Sequence, residues 1–354
     1  MNLDDLDHFR ELDPDDMLGQ IDGLPDQLEQ AWDLGHRHPL PDWPGIRQVV
    51  VAGMGGSAIG ADLVAAYLAP YASVPVITLR EYNLPAWARS SDTLVVASSH
   101  SGNTEETLSA FKQAAEAGCR LAAITRGGKL AELAESAGGM HWGFEHEGQP
   151  RAAIGFSFSL LLALLTRLGL NPDPEAELRD ALAEMRVQQE TIRAEVPVVQ
   201  NSAKRMGGQF MGRWGTIFGA GVMAPVARRW KTQLNEIPKA WAQYEVLPEA
   251  DHNTLNGSMF PEEIFGRSML IFLVGRSQSQ RSRLRAELTR KSLMLEGLNT
   301  DTIKAPGKTA LANMWTGLHY GDYAAFYLAM AYGVDPTPIA AIEAFKEDMS
   351  TASG

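Results

Sequence analysis

The stretch Gln48-Val-Val-Val-Ala-Gly-Met-Gly-Gly-Ser57, with its partner Thr93-Leu-Val-Val-Ala-Ser-Ser-His-Ser-Gly-Asn-Thr104, decides the fold. Each is a short apolar run closed by glycine and hydroxyl residues. Such a run reads as a strand buried on both faces, ending in a turn. A helical pattern follows each turn, to about Ala69 and about Ala117. Val74 to Leu79 and Leu121 to Thr125 read as two further strands, and Lys129 to Ser136 as a helix. Strands alternating with helices predict a parallel sheet with helices on both faces. Both glycine and hydroxyl turns then lie at its carboxyl edge, where ligands of open α/β sheets bind.

Working outward, the theme recurs. Gly215 to Gly221, Met269 to Val274 and Thr300 to Lys304 read as strands. Arg281 to Glu296, Thr309 to Tyr332 and Pro338 to Asp348 read as helices. The expected fold class is α/β, with two tandem subdomains, each a mostly parallel sheet in a three-layer α-β-α sandwich. The expected boundaries are an N-terminal helical arm over 1–44, a first subdomain over 45–150, linking helices over 151–194 and a second subdomain over 195–354. The second glycine turn, at Gly219 and Gly221, lacks the serines of the first.

Composition narrows the function. The 354 residues are 45% hydrophobic and 21% charged, an ordinary globular balance, and carry a net charge of −12. An acidic surface repels nucleic acid and anionic membranes, yet a local cradle of N–H groups can still bind phosphate. The single cysteine, Cys119, opens an apolar run and is expected in the core. Without a partner it forms no internal disulfide, as suits a reducing cytoplasm. Met1 to Asp16 is acidic and lacks the apolar segment of a signal peptide. Ala152 to Thr166 is apolar but too short to span a bilayer, where about 20 residues are needed, and reads as a buried helix. His36, His38, His141 and His146 form no set of converging metal ligands, so no metal is expected.

The two turns have the chemistry of a phosphate cradle. Helix N-termini offer unpaired N–H groups and partial positive charge. Gly55 and Gly56 let the backbone approach an anion, and the hydroxyls of Ser57, Ser99, Ser101 and Thr104 can donate to phosphate oxygens. Asn103 with Glu106 also reads as ordinary helix capping. Gly53-x-Gly55-x-x-Ala58 fits a loose dinucleotide fingerprint, with Glu81 near the place of its ribose-binding acid, which keeps an NAD(P)-dependent oxidoreductase open as an alternative. That alternative does not explain the second hydroxyl-rich turn.

Ser99-His-Ser-Gly-Asn-Thr104 resembles the Ser-x-Ser-Gly-x-Thr phosphate loop of sugar isomerase (SIS) domains. Asn235-Glu-Ile-Pro-Lys239, Pro248-Glu-Ala-Asp-His-Asn253 and Gly333-Val-Asp-Pro-Thr-Pro-Ile339 with Ile342-Glu-Ala-Phe-Lys346 extend the likeness to the bifunctional phosphoglucose/phosphomannose isomerases. The resemblance runs from about residue 45 to the end of the sequence. It implies two tandem SIS-type subdomains and interconversion of glucose 6-phosphate, and mannose 6-phosphate, with fructose 6-phosphate, without a cofactor. It implies Glu236 as catalytic base, His252 as the ring-opening residue, Lys346 as the C-terminal active-site lysine and Arg151 as a fixed cation. It also implies a homodimer in which His252 completes the neighbouring subunit's site. The chain departs from the family pattern at His100, where an aromatic residue is common, and at Ile237-Pro238, which leaves the backbone around Glu236 open. A sugar-phosphate-binding SIS protein without catalysis is the other reading of the same loops.

Overall fold

The computed structural model of the chain describes residues 2–352. Three helices come first: α1 (Leu6–Leu12), α2 (Met17–Asp22) and α3 (Leu24–Arg37). The first α/β unit holds β1 (Gln48–Ala52), α4 (Gly55–Leu68), β2 (Val76–Leu79), β3 (Thr93–Ser98), α5 (Glu105–Glu116), β4 (Arg120–Ile124), α6 (Gly128–Ser136) and β5 (Met140–Trp142). Then come α7 (Ile154–Arg167), α8 (Glu175–Ile192) and α9 (Ser202–Phe210). The second unit holds β6 (Trp214–Ala220), α10 (Met223–Glu236), β7 (Ala242–Leu247), β8 (Ser268–Gly275), α11 (Gln280–Leu295) and β9 (Asn299–Ala305). It ends with α12 (Ala310–Tyr332) and α13 (Ala340–Thr351).

Both sheets are parallel throughout, in the orders β2-β1-β3-β4-β5 and β7-β6-β8-β9. The side-chain alternation of each strand sorts its residues between two cores. Val49, Val51, Leu94, Val96 and Ile124 of the first sheet, with Ile217, Ile271 and Leu273 of the second, enter one shared core. Val50, Val95 and Ala97 face the other way, against Phe111 and Leu130 on α5 and α6. Phe218, Leu270 and Phe272 do the same against Ala286 and Leu293 on α11. Each sheet therefore lies between helices, the α/β arrangement that the alternating pattern predicts.

The shared core contains α12, buried from Leu311 to Ala331, and α7. An ion pair crosses it: Arg229 on α10 holds Asp322 on α12 through Nε at 3.2 Å and Nη2 at 2.8 Å. The arm is part of this core. Leu28 and Trp32 are buried, and His319 on α12 meets the Ile21 carbonyl at 2.7 Å. Cys119 is buried as expected, its thiol 3.3 Å from the Ala88 carbonyl. Sequence reading missed β5 and β7, both edge strands.

Removing one member of a buried ion pair strands the other charge, at a cost of about 3–5 kcal/mol. Asp322→Ala is therefore expected to destabilise the chain by that order in urea titrations. The double change Arg229→Met with Asp322→Leu should cost much less.

Candidate active site

Strand order places the first cradle. β1 and β3 are neighbours, while the chain leaves β1 for β2 on its other side, so the order reverses between them and opens a crevice at their carboxyl ends. Both turns end there. Gly55, Gly56 and Ser57 form the first turn of α4, which no side chain caps, so its N–H groups remain available. A Cβ on Gly56 would lie 3.0 Å from the Pro150 carbonyl and 3.5 Å from the Arg151 Cα, so this turn presses directly on the segment carrying Arg151.

The second turn is braced from within. Ser99 is buried, and its hydroxyl lies 2.9 Å from Thr104 Oγ1 and accepts the Gly102 N–H at 3.1 Å. Ser99 thus shapes the loop, while the exposed Ser101 and the uncapped first turn of α5 after Thr104 face outward. Gly102 has φ +68°, and a Cβ there would sit 1.8 Å from the Gly127 carbonyl, so no other residue fits. His100, inside the loop, is buried against His146, with Nε2 to Nδ1 at 3.0 Å, beside the stacked Phe144 and Phe156 rings. Burial, then the second imidazole, pushes the His100 pKa down to about 4, and burial lowers that of His146.

Glu236 is the last residue of α10, where Pro238 prevents continuation. The Asn235 side chain closes the following turn on the Ala240 carbonyl at 2.8 Å, and Ile237 is fully buried beneath it. Lys239 takes a left-handed backbone, φ 56°, and its ammonium bonds back to the Ile237 carbonyl at 2.9 Å and to the Asp335 carbonyl. This turn leaves the Glu236 carboxylate at the surface of the site with its side chain 25% exposed. The local geometry that Ile237-Pro238 left open is thus a tightly stapled helix end.

Arg151 is 3% exposed. Its Nη2 donates to the Pro336 carbonyl at 2.8 Å and the Thr337 carbonyl at 2.6 Å, its Nη1 to Gln149 Oε1 at 3.3 Å. The same Nη1 lies 3.9 Å from Glu236 Oε2, and Nε has no hydrogen-bond partner among the described residues. Burial pulls the arginine pKa down, opposed by the charge of Glu236. Burial and then Arg151 likewise lower that of Lys239.

His252 and Lys346 come from two further elements. β7 begins six residues after Glu236 and runs away from it to Leu247, a length of about 20 Å, before the short turn Glu249–His252. His252 is exposed there. Its neighbour Asp251 ties the turn to α11 through Arg285 at 2.7 Å and Thr289 at 2.6 Å. Lys346 is on α13, which has no buried residue and leaves Phe345 63% exposed. The helix springs from the Gly333–Ile339 segment that Arg151 grips, so Lys346 stands about 10 Å along α13 from the site's rim. One chain therefore joins the loops, Arg151 and Glu236, while the side chains of His252 and Lys346 make no hydrogen bond or ion pair among the described residues.

Sequence reading passed over Lys239 and His146. Lys239 was visible as the last residue of the Asn235–Lys239 motif, but its pairing with the Asp335 backbone is a contact across the fold. No group of three or more His, Cys, Asp or Glu among the described residues could hold a metal ion. No described helix is long and apolar enough to cross a membrane.

Tandem parallel sheets with a hydroxyl loop at the switch point of the first define a tandem SIS-type α/β protein. Residues 199–349 match the bacterial phospho-glucose isomerase C-terminal SIS domain. The chain is 36% identical, over 94% of its length and 99% of the relative's, to the bifunctional phosphoglucose/phosphomannose isomerase of Caldicellulosiruptor bescii. It is 32% identical, over 85% of its length and 90% of the relative's, to that of Aquifex aeolicus. The chain belongs to the bifunctional phosphoglucose/phosphomannose isomerase family. Among solved structures, a hypothetical protein from Thermus thermophilus superposes with a TM-score of 0.72 over 98% of this chain and 94% of its own, at 17% identity. A glucose-6-phosphate isomerase like protein from the same organism gives 0.62, over 98% and 99%, at 19% identity, and both show the shared fold.

The contact between the buried His100 and its neighbour His146 is expected to make the Ser99–Thr104 loop acid-sensitive. A histidine whose folded pKa is depressed contributes stability that is full above its unfolded pKa near 6.5 and is lost as pH falls toward about 4. Thermal unfolding should therefore show a loss on the order of 2 kcal/mol between pH 7 and pH 5. His100→Phe should flatten that dependence, and an unchanged pH slope in the variant would remove the pair as its source.

Proposed function

We propose that the chain interconverts glucose 6-phosphate and mannose 6-phosphate with fructose 6-phosphate through a cis-enediol(ate), with Glu236 as the base. One observation carries the reading: the Glu236 carboxylate faces the buried Arg151 guanidinium at 3.9 Å, on a segment packed against the first phosphate turn. The first turns of α4 and α5, with Ser57, Ser101 and Thr104, anchor the phosphate. That anchoring holds C1 and C2 against Glu236, so binding energy from the remote phosphate is used to orient the reacting carbons. Glu236 takes the proton from C2 of the aldose and returns it to C1. Arg151, held rigid by two carbonyls, is a preorganised cation for the charge that develops on the enediolate oxygen.

The ring must open first, and the chain's own His252 is a strand length from Glu236. We therefore assign ring opening to His252 of a second copy of this chain, with Lys346 holding a ring or hydroxyl oxygen. Met259, Phe260 and Ile264 beside His252, and Ile342, Phe345 and Met349 along one face of α13, are exposed apolar residues that such a pairing would cover. The reading further places the enzyme in the cytoplasm. Retention of Glu236 and Arg151 in contact favours catalysis over a mere sugar-phosphate sensor. The dinucleotide alternative gains nothing from a second hydroxyl loop sharing the same crevice.

Coupled assays with each aldose phosphate, on chelator-treated protein, test the activity, and conversion of neither would overturn it. Glu236→Gln is expected to lower kcat by at least about 10³-fold. Calorimetric affinity for a six-carbon sugar-acid phosphate should stay within a few-fold of wild type.

Subunit sharing is tested by mixing. Chains carrying Glu236→Gln and chains carrying His252→Ala should each be inactive as homodimers. Co-refolded at equal amounts, they should regain about a quarter of wild-type activity, because half the dimers hold one intact site. A mixture as inactive as its parents would place His252 within its own chain's site or outside catalysis.

A further inference from the structure

The second sheet has a carboxyl edge of its own, and the proposed isomerisation does not use it. β6 and β8 are neighbours while the chain leaves β6 for β7, so the strand order reverses there as it does between β1 and β3. A cavity of about 470 Å³ opens beside this point, between the segments that follow β8 and β9. That volume suits a small-molecule ligand, for which about 300–1,000 Å³ is usual. Arg276, Arg283, Lys304 and Lys308 line it, with Glu184 as the one carboxylate among its lining residues. None of the four cations makes an ion pair among the described residues. The adjoining cavity shares Arg283 and Lys304 with this one and adds Arg290 together with the carboxylates Glu287 and Asp301.

The rim is built rather than accidental. Asn313, fully buried on α12, accepts the Ser277 N–H at 2.8 Å and donates to the Pro306 and Gly307 carbonyls at 2.7 and 3.0 Å. One amide thus clamps together the two segments that carry Arg276 and Lys308. Gln278 adds a tie to the Ala220 carbonyl at the end of β6, 2.7 Å away. These bonds occupy backbone groups that would otherwise cradle a phosphate, which leaves recognition to the cationic side chains. Four cations held around one cavity with a single carboxylate in its lining repel one another, and a bound anion relieves that repulsion.

We propose that this cavity binds a small polyanion, one bearing two or more phosphoryl or carboxylate groups, at a site separate from the substrate's. Four cations against one carboxylate match a ligand of multiple charge better than a sugar monophosphate. Glu236 stands at the opposite end of α10 from this edge, on the order of 20 Å away, so one ligand cannot occupy both places.

The test is calorimetric titration of the full chain with inorganic pyrophosphate, against the variant Arg276→Ala/Lys304→Ala/Lys308→Ala. These side chains are exposed and make no hydrogen bond within the described fold, so the variant should retain wild-type circular dichroism and isomerase turnover. Wild type should bind pyrophosphate at least tenfold more tightly than the variant does, and more tightly than it binds inorganic phosphate. Superimposable pyrophosphate isotherms for the two proteins would overturn the site, and equal affinity for phosphate and pyrophosphate would overturn its assignment to polyanions. The single substitution Lys304→Gln should weaken pyrophosphate binding in the same direction if the triple variant misfolds. Because the readout is a difference in binding, it holds whether or not either aldose phosphate is turned over.

Discussion

A single guanidinium joins the parts of the candidate site. Arg151 belongs to the segment after the first sheet, and it grips the Pro336 and Thr337 carbonyls in the segment after α12. Its Cα backs onto Gly56 of the first phosphate turn, and its free edge meets Glu236 from the second α/β unit. Four distant stretches of chain therefore meet at one planar cation. Burial makes this arrangement demanding, because a desolvated charge needs its neighbours in place. The two carbonyls satisfy part of the guanidinium without neutralising it. Its charge stays available to Glu236 and to a ligand, as a preorganised site requires.

The topology explains why these pieces meet. In a parallel sheet every strand ends at the same edge, so the turns after β1 and β3 converge without any special contact. The second sheet contributes through a helix instead. α10 carries Glu236 back from the carboxyl edge of β6 to the opposite side, where it meets the first unit beside α4. The carboxyl edge of the second sheet is thus left at the far end of α10 from Glu236. The two units, alike in strand order, differ in their loops: hydroxyls and uncapped N–H groups in one, arginines and lysines in the other.

Much of this is legible in the sequence, and the illegible parts share causes. The buried strands β1, β3 and β8 are continuous apolar runs, which parallel sheets demand. β7, Ala242–Leu247, is an edge strand whose Gln243 and Glu245 break the pattern, and β5 spans only Met140–Trp142. Neither is apolar or long enough to announce itself. The phosphate loop is readable because Ser, Gly and Thr act locally, within six residues. By sequence Ser99 reads as a phosphate ligand, but a run of hydroxyls cannot reveal which oxygen turns inward; in the fold its hydroxyl is buried against Thr104 and Gly102. The arm's place in the core, and the pairing of His100 with His146, are contacts over long separations that no local pattern encodes.

What one chain leaves undone is as informative as what it assembles. Asp251, bound to Arg285 and Thr289, fixes the turn that presents His252, and it does so at the surface rather than toward Glu236. A histidine held in a defined position costs conformational entropy to order, and here its side chain makes no hydrogen bond or ion pair among the described residues. The same holds for α13, whose apolar residues recur on one face at helical spacing and face outward, although its root is gripped by Arg151. Local order without an internal partner is how an isologous interface looks from one side, since a twofold axis brings the same patch to itself. That pattern supports the proposed pairing of two copies of this chain, which would bring the His252 turn of one to the Glu236 site of the other.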